Sequence, residues 1–318
     1  MELELADSMI KDALLNKRRE KTGRGLGWSQ RRLAIALIVP AFIVVFALII
    51  YPIGQAFWDS LHSIHLIRRQ SGQPFVGLQN YIDIFQDRYF WASVGRTLYF
   101  MVVSISIELV LGIAVALLLN REFVGRSVLR SLMLIPWALP IIIDGIMWKW
   151  IFNPNYGALN SLLWQLGLID KYKAWLSHPL SALNMVIIAD IWKVTPLVIL
   201  LSLASLQTIP ATLYEAGRVD GTNAWTAFRH ITLPLLMPTI AIVLVIRSMD
   251  AFKVFDLIYI MTRGGPADGT KVIAYYTYLE TFQDLKFGRG AALAYLMTFF
   301  IGIMALVYIK LLSREIEY

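Results

Sequence analysis

Residues 208–234 read Thr-Ile-Pro-Ala-Thr-Leu-Tyr-Glu-Ala-Gly-Arg-Val-Asp-Gly-Thr-Asn-Ala-Trp-Thr-Ala-Phe-Arg-His-Ile-Thr-Leu-Pro. Two long apolar runs frame this stretch, Ala182–Leu203 before it and Leu235–Met261 after it. The local chemistry predicts two short helices. Pro210 suits the first turn of one, and Gly221 has the conformational freedom to end it. Thr222 can then N-cap the second, and Pro234 opens the next apolar run. Leu213, Ala216, Gly217 and Asp220 share helical spacing, as do Ala224, Trp225, Phe228 and Ile231. Such a segment is a compact helical knob rather than a flexible tether.

The flanking runs explain where the knob sits. A hydrocarbon core about 30 Å thick takes about 20 apolar residues in a helix. Four more runs meet that length: Leu33–Ile53, Thr97–Leu119, Leu132–Ile151 and Gly290–Ile309. Backbone polar groups cannot go unpaired in lipid, so the spans are helices. A barrel would alternate in segments of about ten residues, and these runs do not. The sequence therefore predicts an all-α membrane protein with six transmembrane helices in one domain over residues 33–312. A cytoplasmic segment 1–32 precedes it, read first as a mobile tail that only sets topology and second as carrying a short amphipathic helix over Leu5–Leu15, and a tail 313–318 follows.

Composition agrees. The 318 residues are 58% hydrophobic and 16% charged, against about 45–50% and about 25% in soluble domains. That excludes a soluble enzyme, a disordered regulator and a DNA-binding protein. The net charge of +7 belongs to inside loops, not to nucleic acid. The chain has no cysteine, hence no disulfide framework and no thiolate metal site. The first run starts after 32 residues and lacks a small-residue cleavage pattern, so it reads as an anchor. With the N-terminus inside, about 15 Lys and Arg fall in about 80 inside residues, against about 10 in about 100 outside. Both termini are then cytoplasmic, and the 204–234 loop faces the cytoplasm. Trp58, Trp91, Trp148, Trp150 and Trp164 fall near the outer ends, where amphipathic rings belong.

Ionisable groups at membrane depth are costly and are functional-site hypotheses by default. This chain has nine: Glu108, Asp144, Lys149, Asp190, Lys193, Arg247, Asp250, Lys253 and Asp256. Asp190 and Lys193 lie one turn apart before Pro196. Arg247, Asp250, Lys253 and Asp256 recur every third residue and drift about 60° per step round the helix. These groups either line a polar path or pair between helices, and four cations against five anions allow nearly complete pairing. No G-x-x-x-x-G-K-[ST] occurs, so the chain carries no P-loop for ATP. His62 and His65 lack further ligands, and no nucleophile or metal constellation stands out.

The knob carries a resemblance. Glu-Ala-(small)-x-x-x-Gly, nine residues, then Ile-x-Leu-Pro resembles the signature cytoplasmic loop of ABC importer permeases. Glu215, Ala216, Gly221, Ile231, Leu233 and Pro234 fit, and Asp220 is typical of the sugar-importing branch. Gly217 and Thr222 depart from it, each standing where alanine is usual. Gly77-Leu78-Gln79-Asn80-Tyr81, the Arg130–Pro140 stretch with Pro136-Trp137, Trp148-Lys149-Trp150 before Asn153, and Gly264-Gly265-Pro266 are also similar to sugar permeases. The likeness covers about residues 33–312. It is to the larger, maltose-type permease subunit, with the trehalose and polyol importers close in style.

The resemblance implies a type I ABC importer permease-like fold in a bacterial inner membrane. It implies a second homologous permease subunit, two ATPase subunits holding ATP and Mg, an extracytoplasmic binding protein and a carbohydrate substrate. The chain itself is then no enzyme and binds no cofactor. The loop would dock into a cleft of the ATPase, with Glu215 meeting a basic residue and Gly221 setting the bend, and would pass on ATPase closure as a rigid-body movement. The family's mid-membrane sugar site maps onto Trp137, Ile141, Lys193, Val194, Leu197, Arg247, Ala251 and Val254. The charged Asp144, Asp190 and Asp250 join that candidate path. Loops 54–96 and 262–289 either receive the binding protein or pack their aromatics at the interface. An ion-coupled carrier using the buried charges is the alternative, but it lacks repeated halves. A membrane-embedded enzyme would need a convergent acid–base pair, nucleophile or metal.

Overall fold

The computed structural model describes residues 28–67 and 72–312. Leu5–Leu15, read as tail or short helix, and the tail 313–318 lie outside the described residues. Within them the chain is helical, with two isolated bridges, His62 to Phe75 and His65 to Lys286, in place of strands. Five helices are long and apolar enough to cross a bilayer: Arg32–Ser60, Arg88–Asn120, Pro179–Leu206, Ala224–Phe252 and Phe287–Tyr308. A bent pair, Arg126–Ala138 and Ile141–Ile151, meets the same test only when taken together, as one broken span or as a re-entrant pair. They are called the first to sixth spans in chain order, the bent pair being the third.

Two expected rods are broken. The third, Leu132–Ile151, turns by 95° at Leu139–Pro140. Pro140 removes a donor and holds Leu139 extended, at φ −70° and ψ 139°. The fifth, Leu235–Met261, stops at Phe252 and restarts as Asp256–Met261. Hydropathy stays high across the first break because its side chains remain apolar where the backbone turns; the second falls among Asp250, Lys253 and Asp256.

The chain divides into two compact units at Trp58–Asp59. In the first, Trp28–Val45 passes through a widened turn at Phe46–Ile50 into the helix Tyr51–Ser60. None of its described residues 32–58 is buried, as suits a rod whose solvent is lipid. The hub of the second unit is the fourth span, 56% buried over its apolar window against 22–33% for the second, fifth and sixth. The second span runs beside it in the same direction. At one end the Tyr99 hydroxyl donates to Asn184 Oδ1 at 2.9 Å; at the other, Leu119 packs with Leu203 and Leu206. Three apolar clusters follow one another along the second span, at Phe90, at Phe100 and Ile105, and at Ala116 and Leu119. The last sits beside the knob.

Candidate functional site: the knob and the buried charges

The knob begins as the helix Ala211–Val219, directly after Pro210. Gly221 ends it at φ +78°, a left-handed conformation that a side chain would resist. The N–H of Thr222 then bonds the carbonyl of Gly217 at 2.9 Å. The cap of the second helix is Asn223 and not Thr222: its Oδ1 accepts from the Thr226 N–H at 2.9 Å. Nor is that helix separate. It runs through a widened turn, Phe228–Thr232, straight into the fifth span. The Leu233 N–H reaches back to the carbonyl of Phe228. This widening immediately precedes Pro234, which lacks a donor and crowds a regular ladder.

Side chains fasten the knob. The hydroxyls of Tyr214 and Thr232 are 2.9 Å apart. Gly217 is buried, and a Cβ there would stand 2.9 Å from Thr222 Oγ1 and 3.2 Å from Ile231 Cδ1. The two positions that depart from the alanine pattern thus pack on each other: the missing methyl at 217 makes room for the larger side chain at 222. Glu215, Ala216, Asp220 and Pro234 are exposed, and Ile231 and Leu233 half-buried. Around Glu215, Leu213, Val219 and Trp225 also stand exposed.

Three of the nine intramembrane charges meet in one place. Arg247 donates through Nε to Glu108 Oε2 at 2.7 Å and through Nη2 to Glu108 Oε1 at 2.8 Å. The same Nη2 donates to Asp190 Oδ2 at 2.8 Å. All three residues are buried, and they join the second, fourth and fifth spans. One cation faces two carboxylates in short, charge-assisted bonds. The lone acid of the second span, Glu108, was the charge whose partner the sequence did not reveal.

The other candidate path residues separate into kinds. Trp137 and Asp250 are exposed; Ile141, Lys193, Val194, Leu197 and Val254 are half-buried; Ala251 is buried in the central cluster. Asp250 pairs with Lys253 at 3.1 Å. Lys193 donates to the carbonyl of Leu139 at 2.5 Å, and so caps the backbone at the 95° break. Asp144 is fully buried, and among the described residues neither of its carboxyl oxygens is hydrogen-bonded. Lys193 and the Trp148 indole act on it without a hydrogen bond of normal length and angle. A groove of about 510 Å³ lies on the face of Ile143, Met147, Trp150 and Tyr156. Its walls are almost wholly apolar, which suits hydrocarbon or another helix rather than a hydroxylated ligand.

At the end of the bundle away from the knob, Asp87 ties three segments together. Its Oδ1 accepts from the Tyr89 N–H at 2.8 Å, capping the second span. Its Oδ2 accepts from the Tyr276 hydroxyl at 2.7 Å and from Arg289. Burial acts to raise the carboxyl, but Tyr276, the Tyr89 N–H and Arg289 outweigh it and hold Asp87 below its ordinary range. In the loops at this end Phe75, Phe85, Tyr89 and Trp91 are exposed, whereas Tyr275 and Tyr276 are buried.

Residues 108–317 match the family model described as the binding-protein-dependent transport system inner membrane component. The chain is 40% identical over 287 residues to the trehalose/maltose transport system permease protein MalF of Thermococcus litoralis, covering 90% of this chain and 95% of that one. It is 36% identical to the trehalose transport system permease protein SugA of Mycobacterium tuberculosis, covering 90% and 91%. It is also 36% identical to the sulfoquinovosyl glycerol transport system permease protein SmoG of Agrobacterium fabrum, covering 92% and 94%. Among solved structures, a chain of a bacterial ABC transporter for alginate import aligns with a TM-score of 0.78 at 24% identity, covering 91% of this chain and 98% of that one. That likeness is one of fold. The family model and the relatives span the knob, the charge triad and both broken spans, and this chain belongs to the binding-protein-dependent transport system inner membrane components.

Proposed function

We propose that this chain is the permease subunit through which an ATP-driven, binding-protein-dependent importer moves a carbohydrate. The observation that carries the reading is the rigid knob between the fourth and fifth spans, with Glu215 exposed on it, in a chain closely similar to permeases named for trehalose, maltose and sulfoquinovosyl glycerol. The chain has no catalytic role. ATP and Mg sit on two copies of a separate ATPase below it, a second similar permease stands beside it, and an extracytoplasmic binding protein delivers sugar from above. A solved alginate importer in complex with a pentasaccharide-bound periplasmic protein supports that last arrangement. Both termini lie on the cytoplasmic side of a bacterial inner membrane.

Mechanistically, closure of the ATPase pair pulls the knobs of the two permeases together and turns the cavity outward; hydrolysis returns it inward. Trp137, Lys193, Val194, Leu197, Asp250 and Val254 line the sugar's route, with Ile141, Asp144 and Ala251 behind them. Arg247, with Glu108 and Asp190, braces the helices that form the route.

The test is a pull-down of the tagged chain in gentle detergent, with mass spectrometry of what co-purifies. Recovery of a P-loop ATPase and a second multi-span subunit is expected. A chain that purifies alone and transports when reconstituted alone would replace this reading with the ion-coupled carrier. Glu215→Lys is expected to insert normally and to lose uptake; normal uptake by that variant removes the docking role of the knob.

A further inference from the structure

The break in the fifth span opens onto a row of aromatic rings. Residues 253–255 are non-helical, with Phe255 at φ −136° and ψ −53°. The Phe255 ring stacks on Tyr259 at 5.5 Å and 26°, and lies 5.1 Å from Tyr278. Tyr278 is 5.5 Å from Phe282, and Phe282 is 5.9 Å from Phe287, the first residue of the sixth span. Tyr275, 3% exposed, backs the row, stacked on Phe255 at 5.9 Å and on Tyr278 at 6.0 Å. The rings come from two segments of chain and form one continuous series.

A row turned toward the hydrocarbon core would have apolar neighbours, and the exposed part of this row has polar ones. Its exposed members are Tyr259, at 39%, and Phe282, at 60%. Asp256 is exposed and shares a helix face with Tyr259 three residues on. Gln283 and Asp284, also exposed, follow Phe282 directly. The exposed Asp250–Lys253 pair precedes the break. Ionised groups do not face hydrocarbon, and irregular backbone at this depth lines a cavity or is covered by protein. The exposed edge of the row therefore faces a water-filled space or another protein surface, not hydrocarbon.

Ring faces edged by carboxylates, an ammonium and phenol hydroxyls are the chemistry that holds a pyranose: its C–H face stacks on the rings and its hydroxyls bond the polar edge. Along the edge Lys253 pairs with Asp250 at 3.1 Å and Lys286 with Asp284 at 2.9 Å, and Asp256 adds a third carboxylate, so the edge is not positive. An uncharged glycoside fits this balance better than an acidic sugar. We propose that the rings from Phe282 through Tyr278 and Tyr259 to Phe255 form a track along which uncharged pyranose rings pass from the outer end of the sixth span to the break in the fifth. This deepens the sugar-importer reading and rests on it.

The test uses the assembled importer, with its ATPase and binding protein, in proteoliposomes. The probes are radiolabelled trehalose and maltose, with a charged alginate oligosaccharide as a third. Tyr259→Ala and Phe282→Ala are expected to lower the maximal uptake rate of the neutral sugar about tenfold, the loss of one or two ring contacts. Phe282→Trp and Tyr259→Phe keep the ring faces and are expected to restore most of it, which a merely structural role would not produce. Wild-type uptake with alanine variants equally fast overturns the track alone, and uptake of the acidic oligosaccharide as readily as trehalose overturns its preference for uncharged rings. A chain that assembles with no ATPase and no second permease overturns the reading beneath it, and the track falls with it.

Discussion

Gly217 and Thr222 show how a local departure from a pattern is accommodated by another. A methyl on Gly217 would press on Thr222 Oγ1 at 2.9 Å and on Ile231 Cδ1 at 3.2 Å. Gly217→Ala is therefore expected to strain the knob by about 1–3 kcal/mol. The readouts are faster amide exchange at Thr222 and Asn223 and more ATP hydrolysed per sugar moved. Adding Thr222→Ala should relieve most of both, so the double-mutant cycle should show strong coupling. If the double variant is as impaired as Gly217→Ala, the two positions are independent. That both residues were small was legible in the sequence; that they touch was not, because the contact depends on how Gly221 turns the chain. The capping residue was misplaced by one position for the same reason: Thr222 and Asn223 are both good caps, and only the turn decides which side chain faces the free N–H groups.

Among the elements, the apolar runs, their order and the knob between the fourth and fifth were legible from hydropathy and helical spacing. The break at Leu139–Pro140 was not, since a window of apolar residues reads the same whether the backbone is straight or bent; nor was that at 253–255, where Asp250, Lys253 and Asp256 read equally as charges on an unbroken helix. The aromatic row was hidden too, because its members lie in two stretches that meet only after a turn of chain. At the outer end, Asp87 joins the start of the second span to Tyr276 and to the sixth span through Arg289. Its carboxyl is held below the ordinary value of 3.8 in the folded chain. Its contribution to stability is thus present above that value and is lost as pH falls through the lower folded value. Amide exchange in Ile273–Tyr278 should rise over that acid range in the wild type. Asp87→Asn should show the raised exchange already at neutral pH, with a flatter acid profile. An unchanged profile in the variant would remove Asp87 as the tie.

For the molecule as a whole, the buried triad decides how the bundle holds together. Removing Arg247 leaves two carboxylates buried without their cation, a change that costs about 3–5 kcal/mol in other buried networks. Arg247→Ala is expected to lower the melting temperature of the detergent-purified complex and its level in the membrane. Replacing all three groups together, Arg247→Met with Glu108→Leu and Asp190→Leu, should recover much of that loss, because no charge is then left uncompensated. A stable Arg247→Ala complex with only its sugar preference altered would instead make Arg247 a contact of the substrate. The charge balance at membrane depth was readable in advance; the choice of Glu108 and Asp190 as partners required the packing of three spans.

One feature of the fifth span has a mechanical consequence. From Ala224 in the knob to Phe252 at the break it is a single helix of 29 residues, about 43 Å long at 1.5 Å per residue. A tilt of about 10° about its lower end would swing the upper end by about 7 Å, roughly the step between neighbouring rings of the aromatic row. The helix is a lever arm. A small rotation of the knob is enough to carry Phe252, at the upper end of the helix, past a whole ring position.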